Sequence, residues 1–385
     1  MGSERRDAAR APAVLLVFPA EWLAGRRVEW EQLCAAASEA GFEAVVADWE
    51  ALTIEDRAVN VAECLLRRPG MRGVERSSGV RVRPDVVLTT WGVDWDHREL
   101  FDSIRRECGS LHSEVPLLAW LDGKCELELC LREFELESGR SIPRPRTRLS
   151  EEIGPADAVP PEGAVIVKPS RAGRCEGIAI VPRAQLPRLA RSVTDGERPP
   201  FVAQELIDEV FLYDGLRWDI RVHAMATSLA PPRWRLYREG VAKPTGAPAT
   251  DGSDLREWLN ADSFLRDEGP ADNVPLTEML EYVERHHQPL PGFWDRLDAI
   301  VGDVFASLAL WAERRQTVLE RAFLLPGLDF ILERGGPDGY ELRLLELNSH
   351  PGLAWGGRLE KHLAPCHTAW FADLRDLAAT AGRSG

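Results

Sequence analysis

Hydrophobic positions change period along this chain. Ala13 to Phe18 is a continuous apolar run, and from Val28 to Ala40 the residues Trp30, Leu33, Cys34 and Ala37 recur at helical spacing before Gly41. Glu43–Ala47 and Pro84–Thr90 read as further strands, Glu99–Cys108 as a helix and Val115–Trp120 as a fourth strand. Strands alternating with helices predict a parallel, Rossmann-like sheet over residues 1–121. Arg67 to Arg83, rich in Arg, Gly and Ser, reads as a loop or hairpin. Asp122–Glu137 predicts a strong helix, and Ile142-Pro143-Arg144-Pro145 breaks the chain after it.

Strands dominate from Glu162 onward. Ala164–Lys168, Gly177–Val181, Phe201–Leu206, Arg217–Thr227 and Arg233–Tyr237 suggest an antiparallel sheet. A long helix over Trp294–Arg314 places Leu297, Ile300, Val301, Val304, Leu308 and Trp311 on one side, a core stripe. Gly246 to Pro291 is polar and rich in Pro and Asp, as expected of a mobile loop with a short helix near Leu276–His286. The domain expectation is therefore 1–121, 122–202 and 203–385, in an α/β (α+β) fold.

Composition narrows the function classes. The 385 residues suffice for a large core, and 44% hydrophobic with 28% charged residues describe an ordinary globular chain. A net charge of -15 opposes a nucleic-acid partner, because phosphate neutralisation needs a basic field. The apolar runs are too short for a membrane span, so no membrane association is expected. Seven cysteines without a C-x-x-C pair read as reduced thiols, which makes cytoplasmic the default location. Positive charge is nearly all Arg; Lys124, Lys168, Lys243 and Lys361 are the only lysines. Each lysine therefore marks a place where a compact point charge stands instead of a fork.

Three stretches carry candidate chemistry. The first runs from Leu328-Asp329-Phe330 through a Gly-rich hairpin to Leu344-Leu345-Glu346-Leu347-Asn348. Side chains two apart on a strand share a face, so Glu346 and Asn348 point together, and the hairpin folds Asp329 back beside them. Two carboxylates and an amide oxygen are hard ligands suited to Mg²⁺; the competing reading is a solvated edge hairpin. The second is Lys168-Pro169-Ser170 with Gly173 and Gly177, a strand end and a loop whose N–H groups can converge on an anion; a Gly-containing hairpin is the plain alternative. The third is Arg217-Trp218-Asp219-Ile220-Arg221-Val222-His223, whose period puts Arg217, Asp219, Arg221 and His223 on one face. That face is either a solvent-facing charged stripe or an electropositive floor on which Asp219 orients an Arg.

Taken together and in order, these features resemble the ATP-grasp ligases, most closely the tubulin-tyrosine ligase-like branch. Lys168-Pro169 with Glu176-Gly177-Ile178 is similar to the family's phosphate loop, and Val202-Ala203-Gln204-Glu205-Leu206-Ile207 to its adenine-reading hinge strand. Arg217-Trp218-Asp219-Ile220-Arg221, Leu236-Tyr237-Arg238-Glu239-Gly240-Val241 and Asp329 with Glu346-x-Asn348 complete the set, with Lys124 a weaker match. The chain departs from the branch at Cys175, where a glycine is usual. It departs again at Arg217, where a lysine is common, and at Lys243, where an arginine usually holds the reacting carboxyl.

The resemblance implies a Rossmann-like domain followed by a central and a C-terminal ATP-grasp subdomain that clasp ATP. It implies nucleotide contacts from Lys124, Lys168, Ser170, Gly173, Gly177, Gln204, Glu205, Ile207, Arg217 and Asp219. Asp329, Glu346 and Asn348 would hold Mg²⁺, and Arg221 and Lys243 would stabilise developing charge. The implied reaction is carboxylate–amine ligation through an acyl phosphate, with a small-molecule amino acid or peptide as the expected partner. An ATP-binding module with a regulatory or assembly role and an ATP-dependent small-molecule kinase are the alternatives. His286-His287 reads as a solvated surface pair without a third ligand. The Thr89 to His97 loop follows a strand end, where open sheets place ligand contacts.

Overall fold

The computed structural model describes residues 11–18, 27–89, 98–113, 120–154, 163–171, 175–250, 255–259, 273–316, 322–349 and 358–381. The chain divides into two compact units, one of residues 1–115, 319–324 and 352–385, the other of residues 116–318 and 325–351.

In the first unit, β1 (Ala13–Phe18) is flanked in parallel by β2 (Glu43–Asp48), and β3 (Leu52–Glu55), β4 (Ala58–Arg67) and β5 (Glu75–Val82) form an antiparallel extension. On the other side of β1 lie β6 (Val86–Thr89) and β7 (Leu111–His112), both parallel to their neighbours. The crossovers are α1 (Arg27–Glu39) and α2 (Arg98–Cys108). All six residues of β1 are buried, as its unbroken apolar run requires of a central parallel strand. The parallel sheet matches the Rossmann-like expectation, and Arg67–Arg83 holds the connection and second strand of the β4–β5 hairpin. Strands β3 and β4 were not anticipated, and Val115–Trp120, expected as a strand, lies almost wholly outside the described residues.

The second unit opens with α3 (Lys124–Ser138), which ends where Gly139 takes a left-handed φ of 69° and returns its N–H to Glu135. A four-stranded antiparallel sheet follows, ordered β10 (Ala179–Pro182), β9 (Ala164–Pro169), β11 (Phe201–Glu205) and β8 (Thr147–Leu149), with α4 (Leu186–Thr194) packed against it. The second sheet has five strands: β14 (Val274–Pro275), β13 (Pro232–Pro248), β12 (Leu216–Leu229), β15 (Gly327–Arg334) and β16 (Tyr340–Asn348). The strand expected at Arg233–Tyr237 is thus the start of a 17-residue element. The short helix α5 (Leu276–His286) occupies the expected position in the Gly246–Pro291 passage.

The long helix α6 (Phe293–Arg314) covers β12 and β13. Leu297, Val301, Val304 and Leu308 are fully buried, and each contributes about 1.5–3 kcal/mol relative to exposure. Helix α7 (Arg358–Ala381) returns to the first unit and lies along α1, with Phe371 edge-on to Phe42.

Candidate active site

Register alone assembles the charged face of the five-stranded sheet. Trp218, Ile220 and Val222 are buried beneath β12, so Asp219 and Arg221 must project from the other side. Asp219 is paired with Lys243 on β13, and Arg221 with Asp329 on β15. Asp329 is in turn paired with Glu346 on β16, and Asn348 lies two residues further on. Residues directly opposite each other share a face. Four adjacent strands therefore place Lys243, Asp219, Arg221, Asp329, Glu346 and Asn348 on one surface.

Asp329, 2% exposed, is the hub of that surface. Arg221 closes a fork on it, Nε to Oδ1 and Nη2 to Oδ2 at 2.7 Å, while Lys243 Nζ donates to Oδ2 at 2.9 Å. Burial works to raise the Asp329 pKa, but the two cations outweigh it and hold the carboxyl well below its usual range. Lys243 Nζ also lies 3.1 Å from Asp219 Oδ1. Burial pushes Asp219 up to about 6, only partly offset by Lys243. The solvent-facing stripe is thus excluded for Asp219 and Arg221, and Asp219 pairs with a lysine rather than orienting an arginine. His223 is buried beside Gly327.

Glu346 is less committed. Its neighbours are Asn348 Nδ2 at 3.3 Å, Lys124 Nζ at 3.7 Å and Arg221 Nη2 at 4.0 Å. Among the described residues no three acidic, His or Cys side chains form a ready metal cage. The candidate donors, Asp329, Glu346 and Asn348, would offer two carboxylates and an amide oxygen. That suits Mg²⁺, which binds one or two carboxylates and fills its octahedron with water and phosphate oxygens.

The four-stranded sheet contributes Lys168 from β9. It is buried, and it lies within electrostatic range of Glu346, Lys124 and Asp219. Burial lowers its pKa and Glu346 opposes that, but no carboxylate among the described residues comes within ion-pair distance. Gly177 has φ 68°, and a Cβ there would stand 2.9 Å from Pro169 Cγ, so the returning loop requires glycine. Ser170 is occupied by the start of α3: its hydroxyl donates to Glu126 Oε2 at 2.9 Å. Gly173 lies outside the described residues.

On β11, the Gln204 amide is buried; its Nε2 donates to Thr147 Oγ1 at 3.0 Å, and its Oε1 has no hydrogen-bond partner among the described residues. Glu205 accepts from the Arg146 backbone N–H at 3.0 Å, and Ile207 is buried just past the strand end. Arg217 stands apart from the cluster. Its guanidinium stacks 4.0 Å over Trp258 and donates to the Asp208 carbonyl at 3.1 Å. Sequence reading did not single out Trp258, Glu126 or Asp122 as site residues. The adjacency of Asp122 and Lys124 was the one available signal.

Residues 138–250 match the model described as the tubulin-tyrosine ligase family. Similar curated proteins include the mouse tubulin polyglutamylase TTLL13, 24% identical over 221 residues, which is 51% of this chain and 26% of that protein. The human tubulin polyglutamylase TTLL6 is 25% identical over 219 residues, 51% of this chain and 23% of that protein. The Caenorhabditis elegans tubulin polyglutamylase ttll-5 is 27% identical over 239 residues, 56% of this chain and 30% of that protein. The matches span 23–30% of the length of these relatives. Their names specify tubulin, a protein, and this corrects the expectation of a small-molecule amino acid or peptide partner. The mixed α/β architecture and these likenesses agree with the motifs: the chain resembles the tubulin-tyrosine ligase-like branch of the ATP-grasp ligases.

Proposed function

We propose that the chain is an ATP- and Mg²⁺-dependent ligase that glutamylates a protein acceptor. The observation that carries the nucleotide half is the charge arrangement. Lys124, Lys168, Arg221 and Lys243 face Asp219, Asp329 and Glu346, and Lys168 is a buried amine with no carboxylate at ion-pair distance among the described residues. Bringing a triphosphate there relieves the desolvation of Lys168. The orphaned Gln204 Oε1 fits an amino donor such as that of adenine. The relatives' names, tubulin polyglutamylases, support the acceptor half.

In this reading Asp329, Glu346 and Asn348 would hold Mg²⁺, which would supply positive charge to offset that of the phosphates. Lys168 and Lys124 hold the phosphates in line with the attacking carboxylate. That oxygen bonds the γ-phosphorus as ADP leaves, and the glutamate amine then attacks the acyl carbon, releasing phosphate and a proton. Arg221 and Lys243, fixed by Asp329, offer donors where negative charge develops, in a setting that needs no reorganisation. Lys243 supplies charge without the bidentate geometry of an arginine.

Incubating the full chain with tubulin, isotope-labelled glutamate, ATP and Mg²⁺ tests this. Label incorporated into the acceptor with matching ADP formation is the expected result. ATP binding with neither outcome would refute ligation.

A further inference from the structure

The start of α3 joins the segments that carry the candidate site. Asp122 precedes Lys124 by two residues and accepts the Ser349 backbone N–H at 2.7 Å and the Ser349 hydroxyl as well. Ser349 directly follows Asn348 at the end of β16. On the other side, the Ser170 carbonyl accepts the Lys124 N–H at 2.9 Å, and the Ser170 hydroxyl oxygen accepts the Cys125 N–H at 3.2 Å. Ser170 lies two residues past Lys168. One helical turn thus ties down the strand that bears Lys168 and the strand that bears Glu346 and Asn348.

We propose that Asp122 is a positioning residue. Through Ser349 it fixes the end of β16 against the turn that presents Lys124, and so sets the 3.7 Å separation of Lys124 Nζ and Glu346 Oε2. The contact spans 227 positions in sequence and consists of hydrogen bonds at the sheet end. It acts on the spacing of phosphate-side cations and metal-side oxygens. The inference rests on the ligase reading, because that spacing matters only if nucleotide and metal bind together.

What Asp122 contributes is geometry rather than charge, and its amide analogue makes this testable. An asparagine can accept the Ser349 N–H with its carbonyl and donate its own N–H to the hydroxyl, so both bonds survive with one reversed in direction. Calorimetric binding of Mg²⁺-ATP to the full chain is the measurement. Asp122→Ala is expected to weaken binding roughly tenfold or more. Asp122→Asn is expected to restore most of the affinity, and Ser349→Ala to fall between.

Asp122→Ala binding as tightly as wild type would overturn the proposal, as would Asp122→Asn binding as weakly as the alanine variant. Should Asp122→Ala fail to fold, Ser349→Ala decides, and unchanged affinity in that variant overturns the role. A wild-type chain that takes up no Mg²⁺-ATP brings down this inference and the ligase reading together. Tight wild-type binding with indifferent variants brings down this inference alone.

Discussion

Arg221 stands opposite Asp329 on paired strands and grips both oxygens of its carboxylate. Lys243 adds a third donor from the strand on the far side of β12. An anion hidden from water between two fixed cations is costly to assemble and costlier to break. The same carboxylate is a candidate metal ligand, so under the proposed function cation binding and the acyl-side donors would meet at one residue.

Removing the charge of Asp329 therefore reaches beyond catalysis. Asp329→Asn leaves Arg221 and Lys243 buried with half their partner gone, and is expected to lower stability by about 3–5 kcal/mol. Urea unfolding at neutral pH measures it. A loss below about 1 kcal/mol, the scale of an exposed pair, would show that the hub is solvated.

Arg221→Lys keeps the charge and removes the fork. Turnover should fall on the order of 10²-fold while ATP still binds, since the donors that meet developing charge lose their alignment. Steady-state rates beside calorimetry test this; ADP formation at the wild-type rate would remove Arg221 from the chemistry.

Gly177 offers a test of the loop that follows Lys168. Its φ of 68° and the 2.9 Å approach of Pro169 Cγ leave no room for a methyl group. Gly177→Ala should cost about 1–2 kcal/mol from the left-handed backbone alone and weaken ATP binding. Unaltered melting and affinity would mean that the loop tolerates another path.

Two histidines of the first unit predict its pH response. Burial pushes His112 down to about 3 and His367 down to about 4, from an ordinary 6.5. A group whose folded pKa is depressed contributes stability above its unfolded value and loses it as pH falls. Between about pH 6.5 and 4 each histidine should therefore remove up to about 1.4 kcal/mol per pH unit. Asp219, pushed up to about 6, acts with the opposite sign between 6 and its ordinary value of 3.8. Urea unfolding at pH 7 and pH 5 reads the sum. The gap should shrink in His112→Gln/His367→Gln; an unchanged gap would assign the acid response to other groups.

What the sequence made legible follows physical range. Period-two alternation placed Asp219 with Arg221 and Glu346 with Asn348, and the Gly-rich hairpin brought Asp329 back to Glu346, all local effects. The Arg221–Asp329 pairing joins strands 108 residues apart, and no periodicity encodes which strands become neighbours. For the same reason Asp122 and Ser349 could not be paired in advance. Strands β3 and β4 escaped notice because polar residues such as Asn60 and Glu63 interrupt their apolar positions, so no continuous run marks them. Arg217 read as part of the charged face, yet Trp258 and Asp208 hold it, a choice made by packing rather than pattern.

The most direct measurement is ADP formation by the full chain with Mg²⁺, ATP, glutamate and tubulin, each omitted in turn, alongside the intact mass of the acceptor. ADP release that needs all four, with the acceptor heavier by whole glutamyl groups, is the predicted result. ADP release indifferent to glutamate, or an acceptor gaining phosphate instead, would contradict ligation.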